Sequence, residues 1–188
     1  MKAAVIVSTK DPAGMNIKSK LLEYSHKEKE ECFNHKTYDF KDFTLYTTNN
    51  DSIHCEDIDK EVPEELIIFA RKHQSQAKRP CLCCHVPGNW NKADLGGKQR
   101  KLCKAPTAHM KKALAILDEI NDLGFEVSIE QTHHGPSLEK PCMFLEIGSS
   151  KEEWENEKAG RIIAKTLKHL LDDTPKEQKA VIVLGGGH

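Results

Sequence analysis

The 188-residue sequence contains no run of about 18 apolar residues, so no segment reads as a membrane-spanning helix. It also lacks a disulfide framework. The seven cysteines (32, 55, 81, 83, 84, 103 and 142) are odd in number and irregular in spacing, which fits reduced thiols. The apolar stretch near the N-terminus, Ala3–Val7, is too short for the hydrophobic region of a secretion signal, and a cytoplasmic protein is expected. HExxH, paired CxxC, GKS phosphate-loop and GxSxG patterns are absent. No single motif therefore announces a zinc protease, a phosphate loop or a serine nucleophile.

Net charge is nearly absent too, at −1, but it is unevenly spread. Between Arg71 and Lys112 eleven Lys and Arg stand against one acid, Asp94, so that segment carries +10 and the remainder −11. Such asymmetry suits a polyanionic partner, and a solvated lysine-rich loop has the same composition. The length suffices for one domain with a sizeable core, and a monomer is expected.

Apolar runs and helical periodicities alternate along the chain. Strands are expected at Ala3–Ser8, Leu66–Ala70, Cys81–His85, Phe125–Gln131, Met143–Ile147 and Ala180–Leu184. A hairpin is expected from Thr37–Phe40 and Phe43–Thr48. Helices are expected at Met15–Tyr24, after a Pro12–Gly14 turn, and at Thr107–Leu123, ended by Gly124. Another runs from Ser150, with Glu153 completing a capping box, to about Leu171. Asn89–Lys104 reads as a loop. Strands separated by helices of this length predict an α/β sandwich with a mainly parallel sheet and ligands at the carboxyl ends of its strands.

Polar residues collect at those strand ends. His85 closes CLCCH, Thr132-His133-His134-Gly135-Pro136 follows a strand, Glu146 interrupts an apolar strand, and His188 closes VIVLGGGH. Imidazoles and a carboxylate suit zinc, which in a catalytic site takes about three protein ligands and lowers the pKa of a bound water to about 7. His133-His134 is equally compatible with a polar turn. Glu146 is a buried carboxylate that needs a partner, whether a salt bridge, a metal or a proton. Cys81, Cys83 and His85 share one face of their strand, as a metal site or as small buried hydrophobes. Trp90 either stacks on a base or covers the core.

Taken in order, HVPGNW, LGGK, NDLGFEVSIEQTHHGP, FLEIGSSKEEW and VIVLGGGH resemble the archaeal and plant type of D-aminoacyl-tRNA deacylase. Met15-Asn16-Ile17 and Tyr46-Thr47-Thr48-Asn49 fit as well, so the resemblance covers nearly the whole chain. It implies a zinc-dependent hydrolase that cleaves the ester between a D-amino acid and the 3′ end of tRNA, over a broad range of D-residues. It implies a three-layer α/β/α sandwich with a mixed sheet, like phosphorylases and peptidyl-tRNA hydrolases. Carried onto this chain, it gives His85, Asn89, His133, His134, Glu146 and His188 as the polar core of the site. Catalytic roles are expected for His85, His133, His134 and Glu146, and metal ligation for His134, Glu146 and His188. Substrate contacts are expected from Asn89, Trp90, Lys98, Arg100 and Gly186. Family members continue past GGGH, so this chain is expected to lack a C-terminal continuation. The CLCCH cysteines are not expected of the family. The competing readings are a peptidyl-tRNA hydrolase, a nucleoside phosphorylase-like enzyme and a non-catalytic RNA-binding module.

Overall fold

A computed structural model describes residues 2–173, 175–176 and 179–182. Its eight-stranded sheet has the order β2-β3-β4-β1-β5-β8-β6-β7. The strands are β1 (Ala3–Ser8), β2 (Lys27–Cys32), β3 (His35–Asp39), β4 (Phe43–Thr48), β5 (Leu66–Lys72), β6 (Cys81–His85), β7 (Glu126–Ile129) and β8 (Cys142–Gly148). The central strands β4, β1, β5 and β8 are parallel, as their near-continuous apolar runs require. The edges make the sheet mixed: β3 runs antiparallel to β4, and β6 antiparallel to β8.

Helices α1 (Pro12–Leu21), α3 (Thr107–Ile120) and α5 (Glu157–Asp172) share one core with Val5, Val7, Ile68, Leu82, Met143 and Leu145. The opposite face presents Ile6, Tyr46, Phe69 and Phe144, covered by Cys55, Leu138 and the one-turn helix α2 (Ile58–Glu61). That covering layer is built mostly of loops, which leaves room for a site. Phe69 and Phe144 stack there with ring centroids 4.7 Å apart. Truncating Phe144 to alanine is expected to cost about 3–5 kcal/mol, because its neighbours cannot fully collapse into the void. Urea unfolding measures the loss.

Four elements depart from the sequence expectation. Helix α1 begins at Pro12, since a proline in the first turn sacrifices no hydrogen bond, and Asp11 caps it by accepting from the Gly14 N–H at 2.7 Å. Strand β2, KEKEEC, has no apolar signal at all. It is an exposed edge strand held by backbone pairing to β3 and ion pairs such as Lys36–Glu28. The capping box at Ser150 is present, but the helix it opens, α4 (Lys151–Trp154), stops after one turn. Asn156 then caps α5 afresh by accepting from Lys158 and Ala159. Residues 180–182 form no strand, and Val181 and Ile182 are exposed. Val183, Leu184, Gly186 and His188 lie outside the described residues.

Candidate functional site

Period-two alternation carries the loop-covered face of the sheet from apolar to polar. After Phe69 on β5 come Arg71 and His73, after Phe144 on β8 comes Glu146, and β6 contributes Cys81, Cys83 and His85. Register completes the arrangement: β8 lies between β5 and β6, with Glu146 opposite Arg71 on one side and Cys83 on the other. Because β6 runs antiparallel to β8, His85 at its carboxyl end lies opposite Phe144. The site is therefore spread across the sheet face, and does not sit at a single rim of strand ends.

His133 and His134 reach the same place from the loop after β7. Two glycine contacts press that loop against the 95–98 segment. The Gly135 N–H donates to the Leu95 carbonyl at 3.0 Å, and a side chain on Gly135 would come within 2.2 Å of the Gly97 nitrogen. The Gly88 N–H holds the His134 carbonyl at 2.6 Å. The three rings then pack together: His85 lies 4.8 Å from both His133 and His134 by centroid, and stacks on Phe144 at 5.0 Å.

Hydrogen bonds fix the tautomers. Nδ1 of His133 contacts the Gln131 carbonyl at 2.7 Å, that of His134 the Gly135 carbonyl at 2.6 Å, and that of His85 the Val86 carbonyl at 3.3 Å. A carbonyl only accepts, so Nδ1 carries a proton in each ring and Nε2 is the nitrogen left to face the site. Burial, then the neighbouring His85, pushes the His134 pKa down to about 3, so that ring is neutral at physiological pH.

Glu146 is 2% exposed. Burial alone would raise its pKa, but His85, His73 and Arg71 outweigh burial and hold the carboxyl well below the usual carboxylate range. His85 Nε2 and Arg71 Nε each lie 3.6 Å from Oε1. For His73, burial opposes the charge, yet hydrogen bonds to Glu130 and Glu146 carry its pKa up to about 10. A cavity of about 560 Å³ opens onto Arg71, His73, His133, His134 and Glu146.

One ring nitrogen from each of His85, His133 and His134 lies within 4.8 Å of one from each of the others. His85 Nε2 is fully buried with no hydrogen-bond partner among the described residues, and unless it carries a proton its lone pair meets a carboxylate oxygen 3.6 Å away. Two acceptors so placed need a positive charge between or beside them, either a proton or a metal ion. Three imidazoles with fixed Nδ1–H groups make a donor set that fits zinc. A second group, His73, Cys83, Glu130 and Glu146, has comparable spacing. There the His73–carboxylate pairs already supply the positive charge.

Of the residues expected from the sequence, His85, His133, His134 and Glu146 come together. Asn89 is 4% exposed and donates its amide to the Gly96 and Lys98 carbonyls, so it acts as a staple of the 89–98 loop. Trp90 is 60% exposed, outside the core. Lys98 and Arg100 are exposed on the loop that packs against residues 135–137. Gly186 and His188 fall outside the described residues. Arg71, His73 and Glu130 were not expected, whereas the sequence offers Cys83, with Cys81 and His85, as a metal ligand or a buried hydrophobe. The first two carried a readable signal, the continued alternation Phe69, Arg71, His73.

The family model of D-aminoacyl-tRNA deacylase matches residues 60–188. D-aminoacyl-tRNA deacylases from Pyrococcus furiosus and Archaeoglobus fulgidus are 44% and 34% identical to the chain. Each alignment takes in 98% of this chain, with 72% and 69% of the respective relative. The crystal structure of a conserved protein of unknown function superposes with a TM-score of 0.88 at 34% identity, over 94% of this chain and 65% of that one. A 5′-methylthioadenosine/S-adenosylhomocysteine nucleosidase from Campylobacter jejuni shares the fold alone, with a TM-score of 0.57 at 13% identity, over 90% of this chain and 98% of that one. No helix among the described residues is long and apolar enough to cross a membrane. With relatives this similar along nearly its whole length, the chain belongs to the D-aminoacyl-tRNA deacylase family.

Proposed function

We propose that this chain hydrolyses the ester joining a D-amino acid to the 3′ end of tRNA, releasing free tRNA and the D-amino acid, and acts in the cytoplasm on a broad range of D-residues. The observation that carries this reading is the packing of His85, His133 and His134 beside an ionised carboxylate, with His133, His134 and Glu146 lining one cavity near a cationic loop. Ester hydrolysis needs a positioned water, a proton acceptor and stabilisation of the oxyanion. Glu146 is the ionised acid nearest the three imidazoles, and its Oε1 takes the proton of the attacking water. His85, His133 and His134 would hold a zinc ion through Nε2; of the set His134, Glu146 and His188 expected from the sequence, His188 lies outside the described residues. When bound, zinc supplies a Lewis acid and a water acidic enough to react at neutral pH.

The tRNA is held by its backbone. Lys78, Arg79, Lys92, Lys98, Arg100 and Lys104 are exposed, whereas Arg71 is buried and Lys101 pairs with Glu139. Cations there would contact phosphates without reading sequence. Trp90 offers its ring to the terminal adenine. Replacing Lys98 and Arg100 together by glutamate is expected to weaken tRNA binding about tenfold or more and to reduce the salt slope by about two. Filter binding across a salt series checks both.

The test of the reaction is deacylation of D- and L-tyrosyl-tRNA by this chain, with and without added zinc. Rapid release from the D-substrate alone supports the reading. Equal release from both, or turnover only of N-acyl-aminoacyl-tRNA or of a nucleoside with phosphate, overturns it.

A further inference from the structure

A buried carboxylate accepts a proton efficiently only if something aims it. The two oxygens of Glu146 have separate neighbours. Oε1 faces His85 Nε2 and Arg71 Nε, each at 3.6 Å. Oε2 lies 3.5 Å from His73 Nδ1 and 3.8 Å from Cys83 Sγ. His73 is itself immobilised. Its N–H donates to the Ile147 carbonyl at 2.8 Å, and its carbonyl accepts from the Trp154 indole at 2.8 Å. Its ring lies against Gly148, where any side chain would come within 2.6 Å of Cδ2.

Glu130 meets His73 at the same nitrogen as Glu146 does. Its backbone N–H is tied to the Cys84 carbonyl at 3.0 Å, and its Oε1 lies 3.1 Å from His73 Nδ1. The Glu130 side chain is 8% exposed, and its second oxygen has no hydrogen-bond partner among the described residues. It lines a second hollow of about 360 Å³ that His73 also borders, together with Arg79 and Ser149. An acid that is nearly dry, outside the main cavity and bonded through one oxygen has one evident task, which is to balance the ring it touches.

We infer that His73 and Glu130 form a positioning pair for catalysis: through the Nδ1–H that Glu130 and Glu146 share, His73 keeps Oε2 of Glu146 in place so that Oε1 stays directed at His85, and Glu130 holds the His73 ring. This rests on Glu146 being the proton acceptor proposed above. The role assigned to both residues runs through Glu146. The pair acts through the aim of one side chain, so its loss appears in kcat and leaves KM nearly unchanged.

The experiment measures kcat and KM of the full chain on D-tyrosyl-tRNA for His73→Leu, His73→Asn, Glu130→Gln and the double variant His73→Leu/Glu130→Gln, with thermal midpoints recorded alongside. His73→Leu is expected to lower kcat about 100-fold with KM changed less than about threefold. His73→Asn, whose amide can donate from near the Nδ1 position, is expected to recover about tenfold of that loss. Glu130→Gln alone is expected to lower kcat about fivefold and to add nothing in the His73→Leu background, the non-additivity of residues acting as one unit. Unaltered kcat in His73→Leu overturns the inference, as does a Glu130→Gln effect of equal size in both backgrounds. If the leucine variant does not fold, the asparagine variant serves as the second background, and the same rule applies. Glu146→Gln is run in parallel. Full activity there removes the proposed acceptor and the pair with it, whereas an inactive Glu146→Gln beside an active His73→Leu sinks the positioning role alone.

Discussion

Glu146→Gln is expected to cut kcat for D-aminoacyl-tRNA by about 10²–10⁴-fold, the range over which a lost proton acceptor is felt. Glutamine keeps the shape of the side chain and removes only its charge and basicity, so the loss reports chemistry. A second effect accompanies it. Arg71 and His73 flank Glu146 within 3.6 Å, and neutralising the acid leaves two buried cations short of a partner. Breaking a buried ion pair by removing one member costs about 3–5 kcal/mol. Glu130 stays beside His73, and Asp11 and Asp51 stay beside Arg71, which limits the damage to the lower part of that range. The variant should therefore fold, melt lower and turn over slowly. Rapid-quench deacylation and a urea melt read the two effects separately. A folded variant with parental kcat would mean that the proton leaves by another route.

How far the site was legible depends on whether its signal was local. Glu146 could be read because an acid inside MFLEIG has nowhere dry to go unpaired. His133-His134 stood out as a polar pair between apolar runs. The expected strand stops at Ala70, and Arg71 counts only toward the cationic segment. Here β5 runs on to Lys72, and the alternation it sets turns Arg71, and His73 just past its end, inward beneath the loops. Glu130 carried no mark, because a glutamate at the end of an exposed edge strand is ordinary, and only the neighbouring His73 gives it a role. Asn89 illustrates the converse. It lies within a specific motif and near the site, yet its amide secures the loop carbonyls. What no local pattern could supply was the insertion of β8 between β5 and β6, with β6 reversed. That pairing brings residues 71, 83 and 146 side by side, and it is a property of the whole sheet.

The strand pattern divides in the same way. The apolar runs of β1, β4, β5 and β8 are central and covered on both faces, so hydrophobicity alone finds them. Strand β2 is legible only through its partner, because its stabilisation comes from main-chain pairing and cross-strand charges. The single helix expected from Ser150 to Leu171 is divided at Asn156, whose side chain takes over the amide groups of a new first turn.

The second large effect is expected from His134→Ala. His134 is 7% exposed, its Nδ1–H is fixed on the Gly135 carbonyl, and burial keeps its ring neutral. It therefore offers Nε2 as a lone pair at neutral pH and costs little to hold in place. Its carbonyl, bonded to Gly88, anchors the loop independently of the side chain, so alanine should leave the backbone path intact. The void left behind is partly open to the cavity and can fill with water, which keeps the stability cost to about 1–2 kcal/mol. Removing one of three imidazoles is expected to reduce retained zinc from stoichiometric to near zero after dialysis, and to lower kcat by about 10³-fold. Metal analysis of the dialysed variant, compared with the parent chain treated in the same way, reads the first effect without reference to activity. If His134→Ala keeps its zinc but loses turnover, the ring acts on the substrate directly. If it keeps both, His85 and His133 meet the chemical demand without it, and the three-imidazole site is wrong.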